Sequence, residues 1–420
     1  MTWIFFLFVS FWPWEKDLGE IKKTSLEIPR GPSEVRLLRV ALFYEKSSVE
    51  IGADGGYRIE DLASDRVLEE GGRLPVTAVR MTPTGIQVGS AVYPVSGIRV
   101  TAKQREIQVG KKRYRNAVEI LKNPAGSLTV VNEIDVEDYL KGVLPWESNP
   151  DWPEEALKAQ AVASRTYAIF ENIENKDFPF TLGSDVGSQV YGGKTIEKSR
   201  SSLAVEKTRG QILTARGKIF PAFFHSTCAG RTSRADYEWR VEPHPSLAGV
   251  ECPFCRASKH YRWENRFTAA EIQNRLAQKG HRVNGIKEIR SEKPDSSGRP
   301  RFFVIEHAGG SLKLMANEFR LAVGSDRMRS TRVRIQRAGD DFVFEGGGWG
   351  HGVGMCQFGA KHLAEIGYRY KDILRYYYPA SDLRNLEDFS GLAPAPSQES
   401  SEGNVFKRWL GELQSFVEDL

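Results

Sequence analysis

The apolar pattern of this chain changes at Asp151, where a β-rich part gives way to a mixed part. From Val35 to about Ala125, short runs alternate between apolar and polar residues and are broken by turn signals such as Asp54-Gly55-Gly56. Such alternation is typical of half-buried strands. At Asp151-Trp152-Pro153-Glu154, a residue that can cap a helix precedes a proline suited to its first turn and a glutamate three residues after the cap. The sequence therefore predicts a β-rich region followed by a helix.

The remainder of the chain mixes strand-like and helix-like patterns. Runs typical of strands cover Gly210 to His225, Arg301 to His307 and Val333 to Phe344, and a helical pattern covers Ala269 to Gln278. We therefore expect the α+β class, with a β-rich N-terminal region and a mixed α/β core. A length of 420 residues is too long for a single average domain and suits one large domain or two to three smaller ones.

Both ends of the chain differ from its middle. Residues Trp3 to Trp14 are apolar apart from Ser10 and Pro13, which is typical of a secretory signal and too short to span a bilayer; a buried or surface-anchored segment is the alternative. Residues Gly391 to Asn404 have the composition of a flexible linker, and an amphipathic helical pattern follows them. We expect an exported protein, peripheral to a membrane at most. The predicted divisions are a signal-like segment and linker at 1–30, a β-rich region at 31–125, a core domain at 126–388, a linker at 389–404 and an amphipathic helix at 405–420.

The charge of the chain argues against a nucleic-acid partner. Its net charge is +5, from 59 Lys and Arg against 54 Asp and Glu, and the basic residues are scattered along the sequence. A polymer with widely spaced carboxylates needs no stronger positive field than this.

The segment from Val136 to Ser148 carries the first candidate catalytic group, Glu147. This residue follows Leu144-Pro145-Trp146 and precedes the predicted helix. A carboxyl beside apolar and aromatic groups favours its protonated form, so it can deliver a proton near neutral pH. A solvated loop glutamate is the alternative that the local sequence leaves open.

The cysteines indicate a metal site. Cys252 and Cys255 have the C-x-x-C spacing with which two thiolates bind one tetrahedral metal ion. Cys228 and His260 would complete a closed, structural zinc site, with His225 as the second choice for the histidine. A disulfide among the three cysteines is the alternative, and it leaves one thiol over.

A glycine-rich run forms the third candidate segment. Six of the nine residues from Gly346 to Gly354 are glycine, which permits positive φ and a close approach of backbone to ligand. Trp349, His351 and Gln357 are therefore candidates to line a sugar cleft. The run lacks the Gly-Lys-Ser/Thr ending of a phosphate-binding loop, so it does not indicate nucleotide binding. Cys356 stands apart from the other cysteines, and we expect a small buried residue there rather than a ligand.

Together, five ordered segments resemble the SpoIID/LytB family over about Leu128 to Pro379. The resemblance implies a SpoIID-like α/β core with a cysteine/histidine metal site. It also implies that the domain at 126–388 is a lytic transglycosylase of peptidoglycan, which cleaves between N-acetylmuramic acid and N-acetylglucosamine in strands stripped of their stem peptides. The matching segments are Val136 to Glu147, Glu154 to Tyr167, Asp185 to Gly193, Phe224 to Gly230 and Gly348 to Met355.

The resemblance also implies roles for particular residues. Glu147 matches the catalytic glutamate of the family, and the cysteine pattern is similar to that of zinc-bearing members. One carboxylate suffices if Glu147 protonates the glycosidic oxygen and the muramoyl C6 hydroxyl, rather than water, attacks C1. The chain departs from the family in Leu144-Pro145-Trp146 before the glutamate and in Cys356, where serine is common. The candidate glycan-binding residues are Lys158, Arg165, Tyr167, Gln189, Tyr191, His225, Ser226, Thr227, Trp349, His351 and Gln357.

Two other functions remain open at this point. A non-catalytic module that binds glycan and enhances a separate cell-wall amidase is one alternative, because some members of the family are enhancers. A zinc hydrolase is the other, and it would need an open metal position that a site of three cysteines and one histidine lacks. In each case peptidoglycan glycan strands are the expected partner, and the periplasm or cell envelope is the expected location.

Overall fold

A computed structural model describes residues 35–123, 125–184 and 189–389. The predicted N-terminal apolar segment, the linker from Ser390 onwards and the C-terminal amphipathic helix lie outside these residues. The described residues form two compact units. The first unit takes its residues from 35–151, 164–212 and 384–389, and the second consists of Trp152–Ala163 and Leu213–Leu383.

The first unit is rich in strands, as the alternating pattern predicts. Its apolar positions point inward in turn, so that Ile98, Val100, Val118 and Ile120 are fully buried. The strands, in chain order, are β1 (Leu37–Lys46), β2 (Ser48–Ala53), β3 (Tyr57–Asp61), β4 (Val67–Gly71), β5 (Leu74–Thr82), β6 (Gly85–Val88), β7 (Ala91–Tyr93), β8 (Gly97–Ala102), β9 (Glu106–Val109), β10 (Lys112–Arg115), β11 (Ala117–Lys122), β12 (Leu128–Asp135) and β13 (Leu182–Gly183).

These strands form two sheets. One has the order β13-β1-β12-β11-β8-β3-β4 and the other the order β10-β9-β2-β5-β6-β7. β8 and β11 of the first sheet contact β9 of the second. β12 lies beyond the predicted end of the β-rich region at 125, but it pairs antiparallel with both β1 and β11.

Four helices follow or interrupt this β-structure. The Asp135 carboxylate at the end of β12 accepts a hydrogen bond of 2.9 Å from the Glu137 backbone N–H, and so caps the first helix. The predicted helix is present, but it begins at Glu154, so that Pro153 rather than Asp151 immediately precedes it. Its residues as far as Ala163 belong to the second unit. The helices are α1 (Val136–Lys141), α2 (Leu144–Glu147), α3 (Glu154–Glu174) and α4 (Ser199–Lys207).

The second unit combines short strands and helices around two apolar cores. One core contains all four cysteines, and the other is built on phenylalanines such as Phe267 and Phe303. The elements are β14 (Gln211–Ala215), β15 (Lys218–Ile219), β16 (Phe224–His225), β17 (Gly230–Arg231), α5 (Ala235–Glu238), β18 (Glu251–Cys252), β19 (Trp263–Thr268), α6 (Ala269–Ala277), β20 (Glu288–Pro294), β21 (Pro300–His307), β22 (Gly310–Met315), α7 (Ala316–Val323), β23 (Val333–Ala338), β24 (Asp341–Gly346), β25 (Met355–Cys356), α8 (Gln357–Glu365), α9 (Tyr370–Tyr377) and β26 (Asp382–Asn385). Two residues of β14 and two of β26 belong to the first unit. Short 3-10 turns occur at Pro245–Leu247 and Pro253–Cys255 in the second unit and at Lys194–Ile196 and Leu386–Phe389 in the first.

The mixed α+β class predicted from the sequence is confirmed. The run predicted at 301–307 is β21, the helical pattern at 269–278 is α6, and the run at 333–344 is the hairpin of β23 and β24. None of the helices in the described ranges combines the length and the hydropathy that a membrane span requires.

A short parallel pairing positions the glycine-rich run. β16 pairs with β25, so that Phe224 lies opposite Met355 and His225 opposite Cys356. The chain segments that carry Cys228 and Cys356 are thereby brought side by side, although 128 residues separate them.

Candidate active site and cysteine cluster

Glu147 is the last residue of α2, a single turn that follows α1. Pro145 fixes the start of this turn, and the Glu147 backbone N–H donates to the Val143 carbonyl at 3.2 Å. The side chain is half-buried, and its Oε1 accepts a hydrogen bond of 3.2 Å from the Val190 backbone N–H. One carboxylate oxygen is therefore held in a defined position, and the residue as a whole is partly exposed.

Buried tyrosines lie beneath α1 and α2. Tyr139 is fully buried, and its ring centroid lies 5.0 Å from that of Tyr191, whose hydroxyl donates to Asn132 Oδ1 at 2.8 Å. Burial raises the pKa of Tyr139 well above its usual range, and the neighbouring Tyr167 and Glu147 add to the shift. Glu147 thus lies close to the buried Tyr139, whereas the preceding Trp146 is exposed.

The segment from Gln189 to Gly193 is fixed against α1 by its backbone. The Gly192 backbone N–H donates to the Gly142 carbonyl at 3.0 Å. The side-chain amide of Gln189 donates to the Ser164 carbonyl of α3 at 3.2 Å. A Cβ on Gly142 would lie 2.6 Å from the Tyr191 ring, so only glycine permits this approach. Gln189 and Tyr191, predicted to contact glycan, are buried here and support the segment that binds Glu147.

Arg165 lies in the interior of the first unit rather than at a sugar-binding surface. Its side chain and that of Glu137 are 0% and 1% exposed, and its Nε and Nη2 donate to the two carboxylate oxygens at 2.9 and 2.7 Å. Its Nη1 donates to the Gln211 carbonyl at 3.1 Å. A guanidinium satisfied in this way ties α1 to α3, and a glycan carboxylate has no access to it.

Lys158 lies in the second unit and already has anionic partners. Its Nζ is 3.1 Å from Glu154 Oε1 and also pairs with Glu155. The ammonium lies 5.3 Å from the centre of the Tyr370 ring. Tyr167, the other candidate on α3, is half-buried in the first unit.

The four cysteines form one buried cluster. The Sγ atoms of Cys228, Cys252, Cys255 and Cys356 all lie within 4.8 Å of one another, and none is in a disulfide. Tetrahedral zinc with Zn–S bonds of about 2.3 Å requires sulfur atoms about 3.8 Å apart, which matches this spacing. The prediction that Cys356 stands apart is wrong, because β25 carries it next to Cys228, whose N–H lies 3.3 Å from the Cys356 Sγ.

His260 is not part of this cluster of potential ligands in the described chain. Its Nδ1 lies 3.1 Å from Arg329 Nη1, and its ring packs edge-on against Trp349 with centroids 4.1 Å apart. Burial lowers the pKa of His260 to about 4, and the nearby Arg329 and Lys259 add to the effect. The structure therefore gives the fourth cluster position to Cys356 and places His260 beside the glycine-rich run.

The other two candidate histidines lie close together. His225 is buried, its Nδ1 is 3.0 Å from the Val353 carbonyl, and its ring centroid is 5.6 Å from that of His351. His351 is half-buried, and its Nδ1 accepts from the Val353 N–H at 3.1 Å. Burial lowers the pKa of His225 to about 3, so this imidazole is neutral at physiological pH.

The remaining candidates around the glycine-rich run divide by exposure. Ser226 and Trp349 are half-buried, whereas Thr227 and Gln357 are buried and bonded within the fold. Thr227 Oγ1 lies 2.7 Å from Ser258 Oγ, and the Gln357 amide donates to Gln160 Oε1 at 3.3 Å. Of these four, Ser226 and Trp349 have surface that a ligand can reach.

The chain is similar to proteins of known families in two stretches. A family model described as stage II sporulation protein, SpoIID, matches residues 124–214, and one described as a domain of unknown function matches residues 254–354. The first match covers Glu147 and the Val190 segment, and the second begins just before Cys255 and ends within the glycine-rich run.

Three relatives extend the likeness. An uncharacterized protein of Brachyspira hyodysenteriae is 36% identical over 258 residues, which are 61% of this chain and 68% of that protein. The stage II sporulation protein D of Bacillus subtilis is 29% identical over 311 residues, covering 69% of this chain and 88% of that protein. The amidase enhancer of the same organism is 28% identical over 289 residues, covering 58% of this chain and 40% of that protein. On the match to the SpoIID family model and the similarity to these relatives, the chain belongs to the SpoIID family.

Proposed function

We propose that this protein is an exported lytic transglycosylase that cleaves peptidoglycan glycan strands between N-acetylmuramic acid and N-acetylglucosamine. The observation that carries the proposal is the position of Glu147. Glu147 is half-buried near the buried Tyr139, and its Oε1 is fixed by the Val190 N–H. A general acid needs this combination of a partly desolvated carboxyl and access to the substrate.

The reaction needs one carboxyl and no water. Protonated Glu147 donates its proton to the glycosidic oxygen as the C1–O bond breaks, and the N-acetylglucosamine strand leaves with a new hydroxyl. The C6 hydroxyl of the same muramoyl residue attacks C1, and the Glu147 carboxylate takes the hydroxyl proton. The carboxyl is restored, and the muramoyl product ends in an anhydro ring.

Substrate contacts are proposed for the candidate side chains that have accessible surface. In the second unit these are Ser226, Trp349 and His351, which are half-buried around the glycine-rich run, and in the first unit Tyr167, which is half-buried on α3. Each set of contacts is proposed for its own unit. Scattered positive charge on the chain suits strands that carry lactyl carboxylates, and strands without stem peptides present those carboxylates unblocked.

A structural zinc ion held by Cys228, Cys252, Cys255 and Cys356 is part of the same proposal. The cluster is buried, and its sulfur spacing suits tetrahedral coordination. Zinc bound by four thiolates has no open position for water or substrate, so it would cross-link the fold and take no part in the reaction. The zinc-hydrolase alternative therefore has no support from this donor set.

The second candidate function is a non-catalytic enhancer of a cell-wall amidase. The similarity to a protein named amidase enhancer favours it. Such a protein would bind glycan strands in the cell envelope, as the enzyme would, but leave their length unchanged.

Mass spectrometry of peptide-free glycan incubated with the purified protein in heavy-oxygen water separates these functions. We expect shortened strands with anhydro-muramyl ends that contain no heavy oxygen, since no water enters the products. New muramoyl reducing ends in place of anhydro ends would indicate hydrolysis instead. Unshortened glycan, together with faster stem-peptide release by an added cell-wall amidase, would indicate the enhancer.

A further inference from the structure

Trp146 is an exposed tryptophan directly beside Glu147. Its exposed fraction is 40%, whereas the other tryptophans in residues 35–123, 125–184 and 189–389 are buried or half-buried. Single apolar residues on a surface are common and need no function. The way in which this ring is supported, rather than its exposure, distinguishes it.

The indole rests on a glycine that fixes its position. A Cβ on Gly192 would lie 2.6 Å from Trp146 Nε1 and 2.7 Å from Ile196 Cγ1, so the ring packs directly against the Gly192 backbone. The Trp146 backbone is held as well, because its N–H donates to the Val143 carbonyl at 3.0 Å. A ring confined in this way loses little conformational entropy when a ligand binds to it.

The segment that supports the indole also binds the proposed acid. Val190 donates its N–H to Glu147 Oε1, and Gly192, two residues further on, supports Trp146. Gly192 is itself tied to Gly142 at the end of α1 by a hydrogen bond of 3.0 Å. The backbone from Val190 to Gly192 therefore fixes the positions of both the Glu147 carboxyl and the Trp146 ring.

We propose that Trp146 is the platform of a sugar-binding subsite adjoining Glu147, on which the apolar face of an N-acetylated hexosamine ring stacks. A tryptophan ring offers a large, rigid apolar surface, and the C–H face of a pyranose is the matching surface on a glycan. The subsite rests on the proposed function for its ligand class, because Trp146 directly precedes Glu147 and shares the supporting segment at 190–192. It is a feature of this chain, since the position before the glutamate departs from the family pattern.

The test is calorimetric titration with a four-sugar oligomer of N-acetylglucosamine. The parent is the Glu147→Gln chain, which prevents cleavage during the titration, and Trp146→Ala, Trp146→Phe and Val92→Ala are added to it singly. Val92 is the matched control, because it is 45% exposed on β7, at the opposite edge of its sheet from β10, which contacts Gly193.

We expect Trp146→Ala to raise the Kd about tenfold, which corresponds to about 1.4 kcal/mol of binding free energy, because the variant removes the large apolar face on which the sugar stacks. Trp146→Phe should give an intermediate Kd, and Val92→Ala should leave it unchanged. An unaltered Kd for Trp146→Ala, or no binding by the parent, would overturn the subsite. These outcomes are independent of the cleavage assay. If the protein binds the oligomer through Trp146 but the wild type does not shorten glycan, the subsite stands and the proposed transglycosylase activity is refuted.

Discussion

Replacing Glu147 by glutamine is expected to lower the rate of glycan cleavage by about a hundredfold to ten-thousandfold. The amide has the size of the carboxyl and can still accept the Val190 N–H bond, so the turn and the fold should be retained. What it lacks is the acidic proton for the glycosidic oxygen and the basic oxygen for the muramoyl hydroxyl. The measurement is the initial rate of anhydro-muramyl end formation from peptide-free glycan.

The control for this variant is Glu50→Gln, which removes an exposed carboxylate from β2 in the same unit. Its rate should equal that of the wild type, and both variants should melt at the wild-type temperature. A Glu147→Gln protein that retains cleavage within a few-fold of the wild type, at equal melting temperature, would remove Glu147 from the mechanism.

Replacing Cys356 by serine is expected to abolish stoichiometric zinc binding and to destabilise the second unit. Serine is too weak an acid to replace a thiolate ligand, and the loss would leave three thiolates in a buried core. A loss of about 3 kcal/mol is in line with removal of a structural metal, and for a unit of this size it corresponds to a fall in Tm of roughly 6–12 °C. Elemental analysis of the purified protein and thermal unfolding followed by circular dichroism measure the two effects.

His260→Ala provides the matched comparison, because the sequence motif pointed to His260 and the structure points to Cys356. We expect His260→Ala to keep one zinc per chain. Loss of zinc in His260→Ala together with full zinc in Cys356→Ser would reverse the assignment. Purified wild-type protein without metal and with two disulfides would refute the site altogether.

The elements that follow from local patterns were predictable. The alternation before residue 125 indicates the β-rich part of the first unit, and the residues around Pro153 indicate that a helix follows them. In contrast, the membership of β12 in the first sheet depends on its pairing with β1, in which Leu37 lies opposite Asp135 although 98 residues separate them. Such non-local pairing leaves no mark in a short window of sequence.

The site shows the same division between local and distant information. Lys158 and Arg165 lie on the same helix and carry the same charge, but only Arg165 is fully buried. Its burial depends on the ion pair with Glu137, which lies on another helix 28 residues earlier. The spacing of Cys252 and Cys255 indicates a metal site in the sequence, whereas Cys356 reaches the cluster only through the pairing of β16 with β25. The support of Trp146 by Gly192 likewise depends on a contact across the fold.

The most direct test of Glu147 as the acid of glycan cleavage is a crystal structure of the Glu147→Gln protein with a bound peptide-free glycan. The account predicts a glycosidic oxygen about 3 Å from the amide group at position 147, within hydrogen-bonding reach. A well-ordered glycan whose linkages all lie beyond the reach of that side chain would contradict it.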